Sequence, residues 1–339
     1  MYQNLHSHTK ASDGKLTHQE TLDVCAKNKI SVVAFTDHDA LPDKKALKIL
    51  KQNHGHQTKW IIGCEISSGW PKEIAGPASN FHIVGLFVDP LNKKLVNHCQ
   101  KAQESRIERM EKIVKNLCSL GFKISRKDCL AEGSEESLGR PHIVSALLKK
   151  EENLKILEKI KNKMAEEAKK KTSLKPEYDE MIKRGIVQYP YTLFLDQKAF
   201  LPGIYVDYSY YLDMDQSVKL IREAGGIAIL AHWSFSKTKV DEKMIAKFFR
   251  QKRLDGAEIV FGADKIINLK DKEIKKDMES MEKLTKKYGV LQSGGADSHA
   301  EQDFTFFVRE KWFAEKTVGL VERMARIKDL NFEFSSLKH

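Results

Sequence analysis

The sequence lacks the features that mark membrane, secreted, fibrous and disordered proteins. No apolar run approaches the ~20 residues needed to cross a bilayer, and the first 14 residues contain no apolar core typical of a secretory signal. Hydrophobic residues make up 41% and charged residues 31% of the 339 positions, which excludes wholesale disorder and a fibrous repeat. We therefore expect a globular protein with no membrane partner, built as about two domains or one barrel with an insertion.

Cysteine is scarce, and its placement excludes two kinds of site. The 5 cysteines are odd in number, scattered, and never arranged as CxxC. This pattern argues against a disulfide scaffold and against a thiolate zinc site, and it favours a reducing cytoplasm. The net charge of +11 favours anionic partners without identifying one.

Strand-like and helix-like segments alternate in the first hundred residues and again after residue 212. Buried strands are predicted at residues 31–36, 60–66, 82–88, 227–232, 255–260 and from 290 onward. Helices are predicted at residues 17–28, 40–53, 216–224 and 273–288. This alternation predicts an α/β fold with a mostly parallel sheet or barrel.

The middle of the chain carries little strand signal. A helix is predicted over residues 96–120, and residues 149–185 are rich in lysine and glutamate. We interpret the middle as a solvated helical insertion, with a nucleic-acid-binding arm as the alternative. The predicted domains are a first barrel part at 1–95, a mainly helical, substrate-binding insertion at 96–210 and a second barrel part at 211–339.

Nine potential metal ligands begin or end the predicted strands. Residues two apart on a strand share a face, so the first two histidines can bind one ion. Each of the others has an ordinary explanation by itself, such as a turn aspartate or a core histidine. Nine such coincidences are improbable together. The ligand candidates are His6, His8, Asp13, His38, Glu65, His82, His232, Asp297 and His299, and Asp37 or Asp39 is a candidate for orienting the His38 ring.

The chemistry of these nine residues limits which metal ions and which class of substrate the site can bind. Imidazole and carboxylate ligands without thiolate suit Zn, Mn or Fe, and nine ligands are too many for one ion. Three divalent ions would bring a charge of about +6, while Asp13, Glu65 and Asp297 return about −3, so the site would attract an anion such as a phosphoryl group. Clustered metal ions are suited to phosphoester hydrolysis.

The order of these residues resembles that of the polymerase and histidinol phosphatase (PHP) family. The resemblance rests on HxH at 6–8, Asp13, TDHD at 36–39, Glu65, His82, His232 and DxH at 297–299. It implies a distorted (β/α)7 barrel with three divalent ions at the C-terminal ends of the strands. A metal-bound hydroxide would be the nucleophile, so no catalytic side chain is expected. The implied ligand sets are His6, His8, Glu65 and Asp297; Asp13, His38 and His299; and Glu65, His82 and His232.

A GRPH sequence at residues 139–142 is similar to a motif of the nucleotide-acting branch of this family. That branch includes 3',5'-nucleoside bisphosphate phosphatases and 5'-to-3' exonucleases of short RNA. Its proline suits a first helical turn, so Arg140 would stand beside a helix N-terminus, where phosphate is favoured. His142 is a candidate hydrogen-bond donor to the substrate. Arg106 and Arg109 are weaker phosphate-binding candidates, equally well explained as part of a solvated face.

We expect a phosphatase that removes the 3'-phosphate of nucleoside 3',5'-bisphosphates. The alternative substrate is short single-stranded RNA or DNA, degraded from its 5' end. A metal-dependent amidohydrolase is disfavoured by Asp13, TDHD and Glu65, and a histidinol-phosphate phosphatase by GRPH. A degenerate metal-stabilised module is disfavoured by the complete ligand set. Trp233 replaces the family's usual proline and could alter the pocket shape. The sequence does not reveal the oligomeric state.

Overall fold

The computed structural model describes residues 1–53, 56–74, 81–133, 138–262 and 272–328. The chain divides into two compact units. The first, which we call the barrel unit, is Met1–Lys101 with Tyr211–His339, and the second, the insert unit, is Ala102–Tyr210. No helix among the described residues combines the length and the apolar content needed to span a membrane.

One seven-stranded sheet organises the barrel unit, with its strands side by side in chain order. The strands are β1 (Tyr2–Asn4), β2 (Ile30–Phe35), β3 (Lys59–Ser67), β4 (His82–Leu86), β5 (Ile227–Leu230), β6 (Gly256–Val260) and β7 (Leu291–Gly294). The two edges of the sheet meet, because Leu5 N–H donates to Gly294 O at 3.1 Å and Ser7 forms a parallel bridge with Ser298. This nearly closed sheet confirms the predicted distorted barrel.

Strand β4 runs against the direction of its neighbours. The pairs β1–β2, β2–β3, β5–β6 and β6–β7 are parallel, whereas β4 is antiparallel to both β3 and β5. The sequence predicts a mostly parallel sheet and contains no sign of this reversal, because an apolar run has no direction. The reversal matters for the site: His82, the first residue of β4, pairs with Ser67, the last residue of β3. A ligand that begins a strand therefore lies at the edge where the parallel strands end.

Helices follow most strands of the barrel unit, and several begin at capping side chains. They are α1 (His18–Lys27), α2 (Lys44–Gln52), the first part of α3 (Lys93–Ser119), α9 (Met214–Glu223), α10 (Glu242–Arg250), α11 (Lys272–Tyr288), α12 (Glu301–Arg309), α13 (Lys311–Glu315) and α14 (Leu320–Lys328), with a 3-10 turn at Trp233–Phe235. Helix α2 begins later than the predicted residue 40 because Asp43 caps it, accepting from Ala46 N–H at 2.6 Å.

The insert unit has its own hydrophobic core. Its helices are the remainder of α3, α4 (Arg126–Leu130), α5 (Arg140–Leu148), α6 (Glu151–Lys170), α7 (Lys175–Arg184) and α8 (Tyr189–Leu193), with a 3-10 turn at Ile186–Gln188. Leu117, Leu147 and Phe194 are among the residues buried together at its centre. Lysines and glutamates pair on its exposed helix faces, for example Lys169 with Glu166 at 2.6 Å. Such pairs are typical of a solvated helical surface.

Candidate metal centre

Imidazoles and carboxylates converge at the end of the barrel where the parallel strands terminate. They form three groups, and within each group the potential ligand atoms lie within 4.8 Å of one another. The groups are His6, His8, Glu65 and Asp297; His8, Asp13, His38 and His299; and His38, Glu65 and His82. His232 Nε2 lies 3.0 Å from Glu65 Oε1, so the structure brings all nine candidates together.

The three groups can be compared with the three implied ligand sets. The first group is the same as the first set. The second group contains the implied Asp13, His38 and His299 and adds His8. The third group shares Glu65 and His82 with its set but contains His38 where the resemblance implies His232. The division of the ligands among individual ions therefore stays a prediction.

Glu65 is the central residue of the site. It lies on β3, is fully buried, and contacts five imidazoles with its two oxygens. The contacts are Oε2 with His6 Nε2 at 3.1 Å, His8 Nε2 at 3.2 Å and His38 Nδ1 at 3.1 Å, and Oε1 with His82 Nδ1 at 2.8 Å and His232 Nε2 at 3.0 Å. Burial opposes its ionisation, but the neighbouring imidazoles hold the pKa of Glu65 well below its usual range.

The imidazoles of the site have divergent proton affinities. Burial lowers the pKa of His8, but hydrogen bonding to Asp297 and Glu65 outweighs it and raises that pKa to about 10. Burial dominates at His38 and lowers its pKa to about 3. Carboxylates that stabilise a protonated imidazole also attract divalent cations. A metal ion and a proton compete for the same imidazole nitrogen atom. The donor set of nitrogen and oxygen atoms therefore fits divalent metal ions.

Asp37 orders the loop that presents Asp13. Its carboxylate accepts from Thr9 N–H at 2.6 Å, Thr9 Oγ1–H at 2.9 Å and Ser12 Oγ–H at 2.7 Å. Asp13 Oδ1 in turn lies 3.3 Å from His299 Nε2. The sequence analysis named Asp37 as a candidate for orienting the His38 ring. In the structure its carboxylate instead accepts hydrogen bonds from this loop.

Three residues at this end of the barrel have left-handed backbone conformations. They are Asp39 (φ +44°), His232 (φ +26°) and Asp297 (φ +49°). Residues with a Cβ adopt this region rarely, at a cost of order 1–3 kcal/mol, and such residues cluster at functional sites. His232 and Asp297 follow β5 and β7, so each strand turns sharply where it delivers a candidate ligand.

Glu258 is a site residue that the sequence reasoning missed. It lies on β6 and is 2% exposed. Its Oε1 lies 2.7 Å from His6 Nδ1, and its Oε2 accepts from His232 N–H at 2.8 Å. The sequence contained a signal for Glu258, because a carboxylate within the apolar segment 255–260 is as unusual as Glu65 within the apolar segment 60–66.

Arg140 and His142 lie at the start of α5 in the insert unit. Arg140 is the first residue of the helix, as predicted, and its Nη1 donates to Leu195 O at 3.2 Å and Asp196 Oδ2 at 3.1 Å. His142 Nδ1 accepts from Gly139 N–H at 2.9 Å, so this ring caps its own helix. The donor role predicted for His142 would therefore belong to its other nitrogen, Nε2.

Arg109 does not belong to a solvated face. It is 5% exposed, and its Nε donates to Val206 O at 2.7 Å. Its guanidinium carbon lies 4.9 Å from the ring centre of Tyr205 and 4.2 Å from that of Tyr208. Arg106 lies 5.8 Å from the Tyr208 ring. The insert unit thus interleaves arginines and tyrosines, which the sequence reasoning had not recognised because the two sets are about a hundred residues apart.

Trp233 has a structural role in the wall of the barrel unit. It is 4% exposed, and its indole N–H donates to Val240 O at 2.6 Å. The residue begins the 3-10 turn that follows the left-handed His232. The indole N–H therefore ties this turn to the segment that follows it.

The barrel has seven strands, and imidazoles and carboxylates converge where its parallel strands end. This combination of fold and site is typical of metal-dependent hydrolases. The PHP domain family model matches residues 4–183, which is more than half of the chain, and the chain belongs to this family. The prediction of a metal-dependent phosphoric ester hydrolase is confirmed at this level, and the amidohydrolase alternative is not favoured.

Similar proteins span most of the chain. A 3',5'-nucleoside bisphosphate phosphatase of Chromobacterium violaceum is 23% identical over 306 residues, covering 88% of this chain and 87% of the relative. The 5'-3' exoribonuclease Rnm of Escherichia coli is 23% identical over 231 residues, covering 68% of this chain and 64% of the relative. A solved structure from Chromobacterium violaceum, described as an amidohydrolase with bound sulfate and no metal, has a TM-score of 0.61 at 22% identity and covers 88% of both chains. This last likeness concerns the fold.

Proposed function

We propose that this protein removes the 3'-phosphate of nucleoside 3',5'-bisphosphates. The observation that carries the proposal is the convergence of nine imidazole and carboxylate side chains around the buried Glu65. The substrate class is supported by the Chromobacterium violaceum relative, whose alignment covers 88% of this chain at 23% identity and which acts, by its name, on such nucleotides. The scattered, unpaired cysteines favour a reducing compartment, and we place the enzyme in the cytoplasm.

We propose further that the site holds three divalent ions, either Mn, Zn or Fe. Bound ions would supply Lewis acidity at the phosphoryl oxygens and would activate water for attack at phosphorus. Glu65 belongs to two of the three ligand groups and would bridge two ions. Because Asp13, Glu65 and Asp297 offset only about half of the charge of three divalent ions, the site would hold a phosphate group through its excess positive charge.

The insertion at 96–210 is proposed to bind the substrate. Arg140 begins a helix, its side chain is 20% exposed, and its guanidinium pairs with Asp196 at 3.1 Å, a partner that a phosphate would have to displace or join. A guanidinium can bind two phosphoryl oxygens at once, and a helix N-terminus adds backbone N–H donors. His142, Arg106 and Arg109 are the other candidates in this unit.

One observation favours a second activity, the 5'-end degradation of short single-stranded RNA or DNA. Arg106 is half-buried and lies 5.8 Å from the ring centre of Tyr208, and interleaved arginines and aromatic rings suit a single strand. The Escherichia coli relative is named a 5'-3' exoribonuclease. Binding of an oligonucleotide should weaken steeply with salt, while binding of a mononucleotide should respond less. Equal salt slopes for the two would argue against the second activity.

The test is a matched panel with added Mn²⁺. Adenosine 3',5'-bisphosphate and a 5'-phosphorylated short RNA are incubated with the enzyme, and free phosphate and mononucleotides are quantified. Phosphate from the bisphosphate alone would support the phosphatase, whereas stepwise mononucleotides from the RNA alone would replace it with the exonuclease. No turnover of either substrate by protein shown to contain metal would refute both.

His38→Ala tests the ligand assignment. We expect loss of activity and of at least one metal equivalent, measured by elemental analysis after dialysis. His56→Ala is the matched control, because this histidine also lies in the barrel unit but pairs with the exposed Asp23 at 3.5 Å, outside the three ligand groups. Unchanged metal content in His38→Ala would remove His38 from the ligand set.

Arg140→Ala tests the substrate role of the insertion. We expect a higher KM or a lower kcat with full metal content. Arg184→Ala is the control, since Arg184 lies in the same unit and pairs with Glu180 on an exposed helix face. If Arg140→Ala hydrolysed the bisphosphate with wild-type kinetics, Arg140 would have no part in substrate binding.

A further inference from the structure

Glu258 is a buried carboxylate with a separate partner for each of its oxygens. Oε1 faces the ring of His6 through Nδ1 at 2.7 Å, and Oε2 accepts the backbone N–H of His232 at 2.8 Å. The residue is 2% exposed and lies within β6. Neither partner is incidental, because both are candidate ligands.

The contact with His6 determines which ring nitrogen can bind a metal ion. His6 Nε2 faces the first ligand group, at 3.1 Å from Glu65 Oε2 and 3.5 Å from Asp297 Oδ1. A metal ion can bind only a nitrogen that carries no proton, so the proton of the neutral ring must then reside on Nδ1. A carboxylate 2.7 Å from Nδ1 accepts that proton in a hydrogen bond and fixes the ring in the required tautomer.

The contact with His232 acts on the backbone. This residue has φ +26°, a conformation that must be held in place by its surroundings. Its N–H can only donate, and Glu258 Oε2 is the acceptor. The His232 ring reaches Glu65 from the other side, with Nε2 at 3.0 Å from Oε1. One carboxylate thus sets two ligands that approach the two oxygens of Glu65.

We propose that Glu258 is a positioning residue that fixes the tautomer of His6 and the backbone of His232 together, and so sets the metal affinity of the ligands that approach the two oxygens of Glu65. The inference rests on the metal-dependent function proposed above. It requires both oxygens of Glu258 to accept hydrogen bonds. This requirement separates a carboxylate from every neutral side chain of the same shape.

Glu258→Gln is therefore the decisive variant, since glutamine keeps the shape but has one acceptor oxygen and one NH₂ donor. Whichever way the amide turns, its NH₂ faces either His6 Nδ1–H or His232 N–H. We expect metal affinity about 10–100-fold weaker, the range seen when partners of metal ligands are removed. Glu258→Asp keeps two acceptor oxygens on a shorter chain and should recover part of the loss. Glu73→Gln, an ion-pairing glutamate elsewhere in the barrel unit, is the matched control.

Two measurements test the role of Glu258 without any substrate. Chelator competition with Mn²⁺ and Zn²⁺ reports affinity and stoichiometry in the whole protein. The ¹H–¹⁵N spectrum of the Zn²⁺-loaded protein, labelled at histidine, reports the Nδ1–H proton of His6, assigned by its loss in His6→Ala. We expect this proton to be protected from exchange in the wild type and Glu258→Asp, and lost or shifted in Glu258→Gln.

Wild-type metal affinity in Glu258→Gln would overturn the proposal. So would weakened affinity with an unchanged His6 signal, because Glu258 would then serve only general stability. Thermal unfolding of the metal-free variants checks that the fold persists. If the wild type bound metal but hydrolysed neither nucleotide substrate, the proposed function would fail while the role of Glu258 could still be read from the metal titration.

Discussion

Replacing Glu65 by glutamine would remove the negative charge at the centre of the candidate metal centre. The two oxygens of Glu65 contact five imidazoles at 2.8–3.2 Å, and the residue belongs to two of the three ligand groups. The remaining group, which is His8, Asp13, His38 and His299, does not include it. We therefore expect Glu65→Gln to weaken binding at two groups and to leave the remaining one able to hold an ion.

The size of the effect follows from mass action. At free Mn²⁺ of about 100 times Kd, each occupied group stabilises the folded protein by about 2.7 kcal/mol. If Kd rises about 100-fold, the upper range for disturbed metal sites, the gain falls to about 0.4 kcal/mol. Two affected groups then lose about 5 kcal/mol of metal-dependent stability, or about 7 °C in Tm at about 1.4 °C per kcal/mol for a chain of 339 residues.

Thermal unfolding with and without Mn²⁺ is the assay. The quantity compared is the rise in Tm on adding metal, so any effect of the substitution on the metal-free fold cancels. Glu73→Gln should show the wild-type rise, since its carboxylate pairs with Arg253 rather than with the imidazoles. An equal rise in the wild type and Glu65→Gln would refute the bridging role of Glu65 and the charge argument for the site.

Two further predictions concern the barrel that carries the site. Arg253 is held by Glu73 and Asp215 at 2.6 Å each, so Arg253→Met should lower the free energy of unfolding by about 2–3 kcal/mol at neutral pH in urea titrations. Hydrogen bonding to Arg253 is the main cause that lowers the pKa of Glu73 to about 2, so this contribution is present above about pH 4.3 and is lost as the pH falls toward 2. The difference in unfolding free energy between wild type and variant should shrink between about pH 5 and about pH 2, because the ordinary and the lowered pKa of Glu73 lie in this range. A difference that stayed constant over roughly this range would contradict the prediction. Gly256→Ala would place a Cβ 2.1 Å from Leu291 O in the β6–β7 pairing and should cost at least about 2 kcal/mol in the same assay, and a neutral effect would show that the two strands can separate.

The sequence predicted the site best where a polar, metal-ligating residue type stands at the end of an apolar run. Apolar runs predicted the strands, and polar residues at their ends predicted the ligands, because the ends of neighbouring strands meet in space. The nine candidates meet at the site, although His82 begins its strand and lies there because β4 runs antiparallel to its neighbours. The capping residue Asp43 shows the limit of the same signal. Helical periodicity extends back to residue 40, but the aspartate side chain begins the helix at Lys44.

Two features could not be predicted from one sequence. The direction of β4 is set by its pairing with β3 and β5, and an apolar run of five residues carries no information about direction. The burial of Arg109 depends on Tyr205 and Tyr208, which reach it from the far end of the insertion. Both are long-range arrangements, whereas sequence patterns report local structure.

The left-handed conformations of His232 and Asp297 have a consequence for how the sequence evolves. A residue with a Cβ in this region costs roughly 1–2 kcal/mol relative to the right-handed helix, a cost that glycine does not carry. Selection for folding stability alone would thus replace these two side chains and discard the ligands. Selection for metal binding, by contrast, would retain them. Laboratory selection for thermostability without metal should lose these positions first, and selection in the presence of Mn²⁺ should retain them.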